Sequence, residues 1–191
     1  MLAIVLVAAY LLGSIPSGLI FGRLIWHKDL RRYGSKNLGA TNAWRVLGKP
    51  AGLLIFALDF LKGVLSVLLA QIFIGTAPAM VLAGLLAIVG HSCSIFLKFR
   101  GGKGVAIGLG VIAFLMPSVT SIVFMVWLVI VLLTRYVSLG SIVAAILVPI
   151  LALIFKYDSA YVIFGVIAAI FITIRHKENI VRLIHGRENK I

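Results

Sequence analysis

Long apolar stretches run through almost the whole 191-residue chain and leave only short polar segments between them. Hydrophobic residues make up 62% of the sequence and charged residues 12%, whereas about a quarter of a soluble domain is charged. A helix that crosses a membrane needs roughly 20 apolar residues. The sequence therefore excludes a soluble domain and predicts an all-α polytopic membrane helical bundle. The predicted spans are residues 1–22, 51–74, 79–97, 104–116, 118–134, 136–155 and 159–174.

The fourth span is the shortest, and its separation from the fifth span decides the topology. At about 1.5 Å per residue it reaches only ~20 Å of a hydrocarbon core about 30 Å thick. The alternative is one tilted helix over residues 104–134, broken at Pro117. Seven spans place 16 of the 18 Lys and Arg residues on one side, as cytoplasmic loops require. About seven transmembrane helices are therefore predicted, with the N-terminus outside and the C-terminus inside.

Charge and cysteine content narrow the function classes. The formal net charge of +13 comes from cations beside apolar spans, which indicates anionic head groups rather than nucleic acid as the partner. The single cysteine, Cys93, excludes an intrachain disulfide. We expect one integral membrane domain over residues 1–191, with a short interfacial or re-entrant helix around residues 36–48.

A polar loop at residues 34–45 combines glycines, neutral hydrogen-bond donors and a cation between two apolar spans. Glycines let backbone amides approach an oxyanion, and the planar guanidinium of Arg45 suits a phosphate. An ordinary interfacial loop anchored by Trp44 is the alternative, but two Asn and one Arg exceed what a connector needs. The predicted substrate-binding residues of this loop are Ser35, Asn37, Gly39, Asn42 and Arg45.

A second polar stretch opens the fourth span with Gly101, Gly102, Lys103 and Gly104. Glycines just before a helix N-terminus, next to a lysine, are typical of a phosphate site. The spacing G-x-x-x-x-G-K-[ST] of a P-loop is absent. A flexible turn whose cations reach the membrane interface is the alternative.

The third polar stretch follows the last span and contains His176 and Asn179. Residues three apart share one face of a continuing helix. His176 is the candidate proton acceptor, because the unperturbed pKa of histidine is about 6.5. A basic tail that only fixes the topology is the alternative.

Two charged residues lie inside the second predicted span. Asp59 and Lys62 are three apart, and charges within a membrane are usually paired or functional. We therefore predict that they pair and support the polar loops. His91 receives a structural or supporting role, since no other His or acidic residue has the spacing of a metal site. Ser141 begins the sixth span on the predicted cytoplasmic side, where small residues also serve helix packing.

Six short sequences resemble those of the bacterial acyl-phosphate:glycerol-3-phosphate acyltransferase family. They are SIPSG at 14–18, GSKNLGATN at 34–42 followed by Arg45, DFLKG at 59–63, GH at 90–91, KFRGGKGVA at 98–106 and HKEN at 176–179. The resemblance implies transfer of a fatty acyl group from acyl phosphate to sn-glycerol 3-phosphate. The products would be 1-acyl-sn-glycerol 3-phosphate (lysophosphatidic acid) and phosphate, with no use of acyl-CoA and no cofactor.

The resemblance also implies a setting in the cell. The reaction would be the first acylation of phospholipid biosynthesis, in the bacterial inner membrane, with the active site facing the cytoplasm. Expected partners are acyl phosphate, glycerol 3-phosphate, membrane lipids and, functionally, the enzyme that makes acyl phosphate. No histidine is followed five residues later by Asp, the pattern of acyl-CoA-type glycerolipid acyltransferases.

Combined with the motif chemistry, the resemblance predicts one polar pocket and a direct transfer. Amides of the glycine-rich loops would hold the acyl phosphate, and His176 or a substrate phosphate oxygen would accept the hydroxyl proton. Phosphate is a good leaving group, so an acyl-enzyme is unnecessary, although Ser35 is a conceivable nucleophile. The residues predicted for catalysis are His176, Ser35 and Asn179, and those predicted to bind glycerol 3-phosphate are Ser35, Arg45, Lys103, Ser141, His176 and Asn179.

Two other function classes are alternatives to an enzyme. An anion transporter would suit Asp59, Lys62 and the broken fourth span, but the sequence has no inverted repeat and its polar residues crowd one face. A structural membrane subunit that binds head groups would leave Ser35 and Asn179 unexplained.

Overall fold

The computed structural model describes residues 1–191 and contains ten α-helices and no strand, which confirms the all-α class. Two short 3₁₀ turns are Leu30–Arg32, in the first polar segment, and Ile95–Leu97, after the helix Ala77–Ser92. The helices are α1 (Leu2–Ser14), α2 (Ser17–Trp26), α3 (Ala40–Leu47), α4 (Lys49–Phe73), α5 (Ala77–Ser92), α6 (Val105–Leu115), α7 (Pro117–Thr134), α8 (Val137–Ile154), α9 (Ser159–Arg175) and α10 (Lys177–Ile184).

Five segments are long and apolar enough to cross a membrane. They are Leu2–Trp26, Lys49–Phe73, Ala77–Leu97, Pro117–Thr134 and Val137–Ile154. The pair α9 and α10, bent by 62°, is a sixth if it counts as one span, and α6 is a shorter apolar helix. The count of seven spans and their orientation stay predictions.

The first predicted span differs from the observed helices. Residues 1–22 were expected to form one helix, but α1 ends at Ser14 and α2 begins at Ser17 and continues to Trp26. Pro16 lacks an N–H and disfavours helical backbone in the residue before it, so the helix is interrupted there. At the interruption the Ser14 carbonyl accepts a hydrogen bond from the Ser94 hydroxyl, and the Ile15 carbonyl accepts from the Ser17 N–H and the Lys62 ammonium.

Two other expectations about helix ends are confirmed. The predicted break at Pro117 is present, since α6 ends at Leu115 and α7 begins at Pro117. The short helix expected around residues 36–48 is α3, which begins four residues later than predicted. Its late start follows from left-handed backbone at Gly34 (φ +57°) and Lys36 (φ +59°), which a helix cannot contain.

The chain divides into two compact units, residues 1–111 and 112–191. In the first unit α1 packs along α4 and α5. Gly13 lies against Ala87, and Gly90 lies against Tyr10, so closely that a Cβ at either glycine would overlap backbone. Such small-residue contacts are how helices approach each other without a hydrophobic driving force in lipid.

In the second unit α8 packs between α7 and α9. Pro149 lies within α8, and Gly165 of α9 fits against its ring. Phe164 is the largest side chain buried here. That residues 1–191 form one domain stays a prediction.

Candidate active site

The loop between the 3₁₀ turn and α3 is held closed by one side chain. The amide oxygen of Asn42 accepts a hydrogen bond from the Ser35 N–H (2.9 Å), and its amide nitrogen donates to the carbonyls of Tyr33 (3.1 Å) and Asn37 (2.8 Å). Asn42 is 1% exposed. The geometry gives Asn42 a structural role, and its predicted contact with a substrate stays a prediction.

Side chains of the loop around Asn42 reach the protein surface. Asn37 accepts a hydrogen bond from the Gly39 N–H at the start of α3 (2.8 Å), which is a local turn of the kind Asn favours. Ser35 is exposed and Arg45 is half-buried on α3. A Cβ at Gly34 would overlap the amide oxygen of Asn42, so both space and backbone conformation require glycine there.

The predicted pairing of Asp59 with Lys62 is confirmed. The Lys62 ammonium donates to the Asp59 carboxylate at 2.8 Å, and both residues are buried. It also donates to the carbonyl of Ile15 (2.6 Å) and to the hydroxyl of Ser17. A lysine has three N–H donors, so the charge pair satisfies the interrupted α1–α2 segment.

The glycine-rich stretch before α6 rests on the end of α5. The N–H of Gly101 donates to the carbonyl of Ser92 (3.0 Å), and the N–H of Gly102 donates to the carbonyl of His91 (3.1 Å). Gly104 has φ +84°, a conformation natural only to glycine. The turn therefore reverses the chain in a fixed geometry just before the N-terminus of α6.

Both predicted anion-binding loops of the first unit border one small cavity, which has room for about one water molecule. Leu38 of the first loop and Gly102 of the second loop contribute to its wall. The full lining is Ser14, Ile15, Pro16, Ser17, Gly18, Leu38, Asp59, His91, Leu97 and Gly102.

Three polar side chains of the second unit surround the carboxylate of Glu188. Glu188 accepts hydrogen bonds from the Asn179 amide (2.6 Å), the Ser138 hydroxyl (2.9 Å) and the Arg182 guanidinium (2.8 Å). Burial raises the pKa of Glu188, but these three hydrogen bonds outweigh burial and hold the pKa below its ordinary value of 4.5. The carboxylate is therefore ionised at neutral pH and fixes the orientation of the Asn179 amide.

His176 lies at the bend between α9 and α10 and is 3% exposed. Its Nδ1 atom is 2.8 Å from the carbonyl oxygen of Ile172. A carbonyl only accepts, so Nδ1 carries a proton and donates in this hydrogen bond. Ser141 is buried near the start of α8, where its hydroxyl donates to the Val137 carbonyl (2.8 Å).

Comparison with known proteins identifies the family. Residues 3–186 match the family described as glycerol-3-phosphate acyltransferase. A glycerol-3-phosphate acyltransferase 2 of Moorella thermoacetica is 46% identical over 186 residues, which cover 97% of this chain and 95% of the relative. A glycerol-3-phosphate acyltransferase of Syntrophomonas wolfei is 45% identical, with 99% of this chain and 96% of the relative covered.

The chain belongs to the glycerol-3-phosphate acyltransferase family.

Solved structures agree with this assignment. The crystal structure of PlsY (YgiH), an integral membrane glycerol 3-phosphate acyltransferase, in its glycerol 3-phosphate form, gives a TM-score of 0.95 at 42% identity and covers 100% of this chain and 95% of that chain. Its lysophosphatidic acid form gives a TM-score of 0.92 at 40% identity. The chain is therefore an integral membrane acyltransferase, which decides against the transporter and the structural subunit.

One polar residue of this acyltransferase was missed by sequence reasoning. Glu188 organises the second unit, yet it is an isolated acid in a tail that looked like a topology signal. A usable signal was its rarity, because the chain has only five Asp and Glu residues against 18 Lys and Arg. Gly186, two residues before Glu188, has φ +64° in the structure, and the tail turns back on the protein there.

Proposed function

We propose that this acyltransferase transfers a fatty acyl group from acyl phosphate to the 1-hydroxyl of sn-glycerol 3-phosphate, with release of 1-acyl-sn-glycerol 3-phosphate and inorganic phosphate. The observation that carries the proposal is the pair of anion-suited loops, residues 34–45 and 98–104, on one small cavity of the first unit. Two substrates that both carry phosphate would use two such loops. The substrate and product forms of the related structure support the acceptor and the product.

The proposed roles follow from the chemistry of each side chain. Cations and hydroxyls would hold glycerol 3-phosphate, with the Arg45 fork on its phosphate. Backbone amides of Asn37, Lys103 and Gly104 would hold the acyl phosphate. The predicted amides of Gly39, Gly101 and Gly102 already donate within the protein, so these glycines would shape the loops instead. The acceptor would be bound by Ser35, Arg45, Lys103, Ser141, His176 and Asn179.

The proposed transfer is direct. The 1-hydroxyl oxygen attacks the acyl carbonyl carbon, a C–O ester bond forms, and the bond between the acyl carbon and the phosphate oxygen breaks. The hydroxyl proton goes to Nε2 of His176 or to a phosphate oxygen, and phosphate leaves with the bonding electrons. The hydrogen bond from Nδ1 to the Ile172 carbonyl supports His176 as the base, because in the neutral ring it leaves the lone pair on Nε2. Alignment and charge stabilisation would supply the catalysis.

The donor and the location are part of the proposal. None of the four histidines has an Asp five residues later, which supports a donor other than acyl-CoA. The distribution of Lys and Arg supports an active site that faces the cytoplasm from the bacterial inner membrane. There the enzyme would take acyl phosphate from the enzyme that makes it and perform the first acylation of phospholipid biosynthesis.

An assay with two donors tests the proposal. Detergent-purified protein receives labelled glycerol 3-phosphate with either palmitoyl phosphate or palmitoyl-CoA, and lysophosphatidic acid and phosphate are measured. We expect both products in equal amounts from palmitoyl phosphate and none from palmitoyl-CoA. Product only from the CoA ester would show that the donor is wrong.

A further inference from the structure

Three titratable side chains lie together inside the first unit, away from its exposed loop surface. Asp59 is 2% and Lys62 6% exposed, and the side chain of His91 is 11% exposed. All three N–H donors of Lys62 are used by Asp59, Ile15 and Ser17. Lys62 therefore has no N–H donor left for a substrate. Any effect of these three side chains on the reaction must pass through other protein atoms.

His91 connects this group to the glycine-rich loop. Its Nδ1 is 3.8 Å from the Asp59 carboxylate, which is ion-pair range but too long for a direct hydrogen bond. The other edge of the ring faces the loop, since a Cβ at Gly102 would overlap Nε2. The carbonyl of His91 accepts the Gly102 N–H as well. Ring and backbone of one residue thus both fix Gly102.

The imidazole of His91 lies between the carboxylate and the loop. Asp59 is on one side of the ring and Gly102 on the other, and one small cavity borders all three residues. Lys62 in turn holds the Asp59 carboxylate by a hydrogen bond, so the charge pair is linked to the loop through the ring.

We propose that His91, with Asp59 and Lys62 behind it, is a positioning residue that holds residues 101–104 in the geometry that binds the phosphate of the acyl donor. The inference rests on the proposed function, because it assigns the loop to acyl phosphate. None of the three side chains touches a substrate. Their loss therefore weakens donor binding before it affects chemistry.

Kinetics and hydrogen exchange of the full chain in detergent test the inference. For His91→Ala we expect KM for palmitoyl phosphate to rise roughly tenfold, while kcat and KM for glycerol 3-phosphate change less than about twofold. Amides of residues 98–104 should exchange faster than in the wild type. Ser66→Ala is the matched control, because Ser66 is buried in α4 and bonds only to the Lys62 carbonyl; it should change neither quantity.

A double variant distinguishes the positioning effect of His91 from the effect of leaving a buried charge unpaired. Removing one partner of a buried pair leaves an unpaired charge, whereas apolar residues at both positions are often tolerated. The double variant Asp59→Leu with Lys62→Met should therefore fold. Its KM for palmitoyl phosphate should nevertheless be raised, as in His91→Ala, because His91 has lost its carboxylate neighbour. A wild-type KM for the donor in this folded double variant would overturn the inference.

The remaining outcomes of these experiments also test the inference about His91. Unchanged exchange of residues 98–104 in His91→Ala overturns the inference whatever the kinetics, and so does faster exchange with an unchanged KM for the donor. If the wild type does not turn over palmitoyl phosphate at all, the proposed donor is wrong, and the exchange of residues 98–104 alone then decides whether His91 positions the loop.

Discussion

The first unit fixes its polar segments through two separate side chains, Asn42 and Lys62, whereas three polar side chains of the second unit share one carboxylate. Asn42 closes the 34–45 loop through several backbone groups, and Lys62 independently ties α4 to the interrupted α1–α2 segment. In the second unit, Ser138, Asn179 and Arg182 all donate to Glu188. Distributed support lets a substituted side chain change chemistry while the fold persists. Support at a single point makes fold and chemistry fail together.

The position of Glu188 in the chain explains the difference. The segment after α10 folds back onto the start of α8, where the Ile191 N–H donates to the Arg135 carbonyl (3.1 Å) and Lys190 lies 5.5 Å from the Tyr136 ring centroid. The Glu188 carboxylate is a buried link between the tail and the helices.

The largest expected effect comes from Glu188→Ala. Three donors, one of them charged, lose their shared acceptor, so the free energy of unfolding should fall by about 3–5 kcal/mol. Activity should be lost as well, because Asn179 is released. Thermal unfolding in detergent and the two-donor assay measure both. Glu178→Ala is the control, since the side chain of Glu178 is 80% exposed and lies 4.0 Å from Arg182; a wild-type melting temperature in Glu188→Ala would remove the contrast between the units.

Arg45→Ala should show the opposite behaviour in the first unit. We expect kcat/KM to fall by roughly 10²–10³-fold, as when an anion-stabilising donor is removed, while the protein stays folded. Arg32→Ala, an exposed arginine of the preceding turn, should keep activity. Near-normal turnover of Arg45→Ala would refute the assignment of Arg45 to the substrate phosphate.

Asn42→Ala tests how far the support of the first unit is distributed. Backbone groups at Ser35, Tyr33 and Asn37 lose a partner, and we expect a loss of about 1–3 kcal/mol in the free energy of unfolding. The protein should still fold, with reduced activity from a distorted loop. Tyr33→Phe, at an exposed side chain, should be neutral. Complete unfolding of Asn42→Ala would mean that the first unit also depends on one side chain.

Acidification should produce the smallest change in stability. It should also show different contributions from Asp29 in the first unit and Glu188 in the second. Hydrogen bonds from Arg31, then Arg23, hold the pKa of Asp29 in the first unit below its ordinary value of 3.8 against the effect of burial, and the pKa of Glu188 is also lowered. A lowered folded-state pKa gives stability that is complete above the unfolded value and is lost as pH falls through the folded value. Stability from these groups should therefore be constant from pH 7 to 4.5.

Below that range the two groups should differ. Glu188→Gln should reduce the fall in the free energy of unfolding as pH decreases. Asp29→Asn should change that fall by only about 0–1 kcal/mol, because the partners of Asp29 are exposed arginines. An equal change in both variants would contradict the single-point support of the second unit. Thermal melts at a series of pH values give the comparison.

Much of the fold was predictable because apolar runs and prolines act locally. The helices lie where the apolar runs lie, the break at Pro117 was expected, and the i,i+3 spacing predicted the pair of Asp59 and Lys62. The break at Pro16 was missed because no polar residue beyond two serines interrupts that apolar run.

The support of the site was harder to predict because it depends on distant contacts. Ser138 and Glu188 are 50 residues apart, and nothing in the spacing of either residue shows that they meet. The presence of an asparagine at position 42 does not reveal whether its amide contacts a substrate or the loop backbone. Motifs therefore predict which loops bind substrate, but they do not show which side chain holds each loop in place.

Direct transfer is the central claim, and a single-turnover experiment without acceptor tests it most directly. Wild-type protein is mixed with palmitoyl phosphate in the absence of glycerol 3-phosphate, and phosphate release and the mass of the peptide containing Ser35 are followed. The account predicts no burst of phosphate equal to the enzyme concentration and no acylated peptide, with product appearing once glycerol 3-phosphate is added. A stoichiometric burst together with an acylated Ser35 would contradict it.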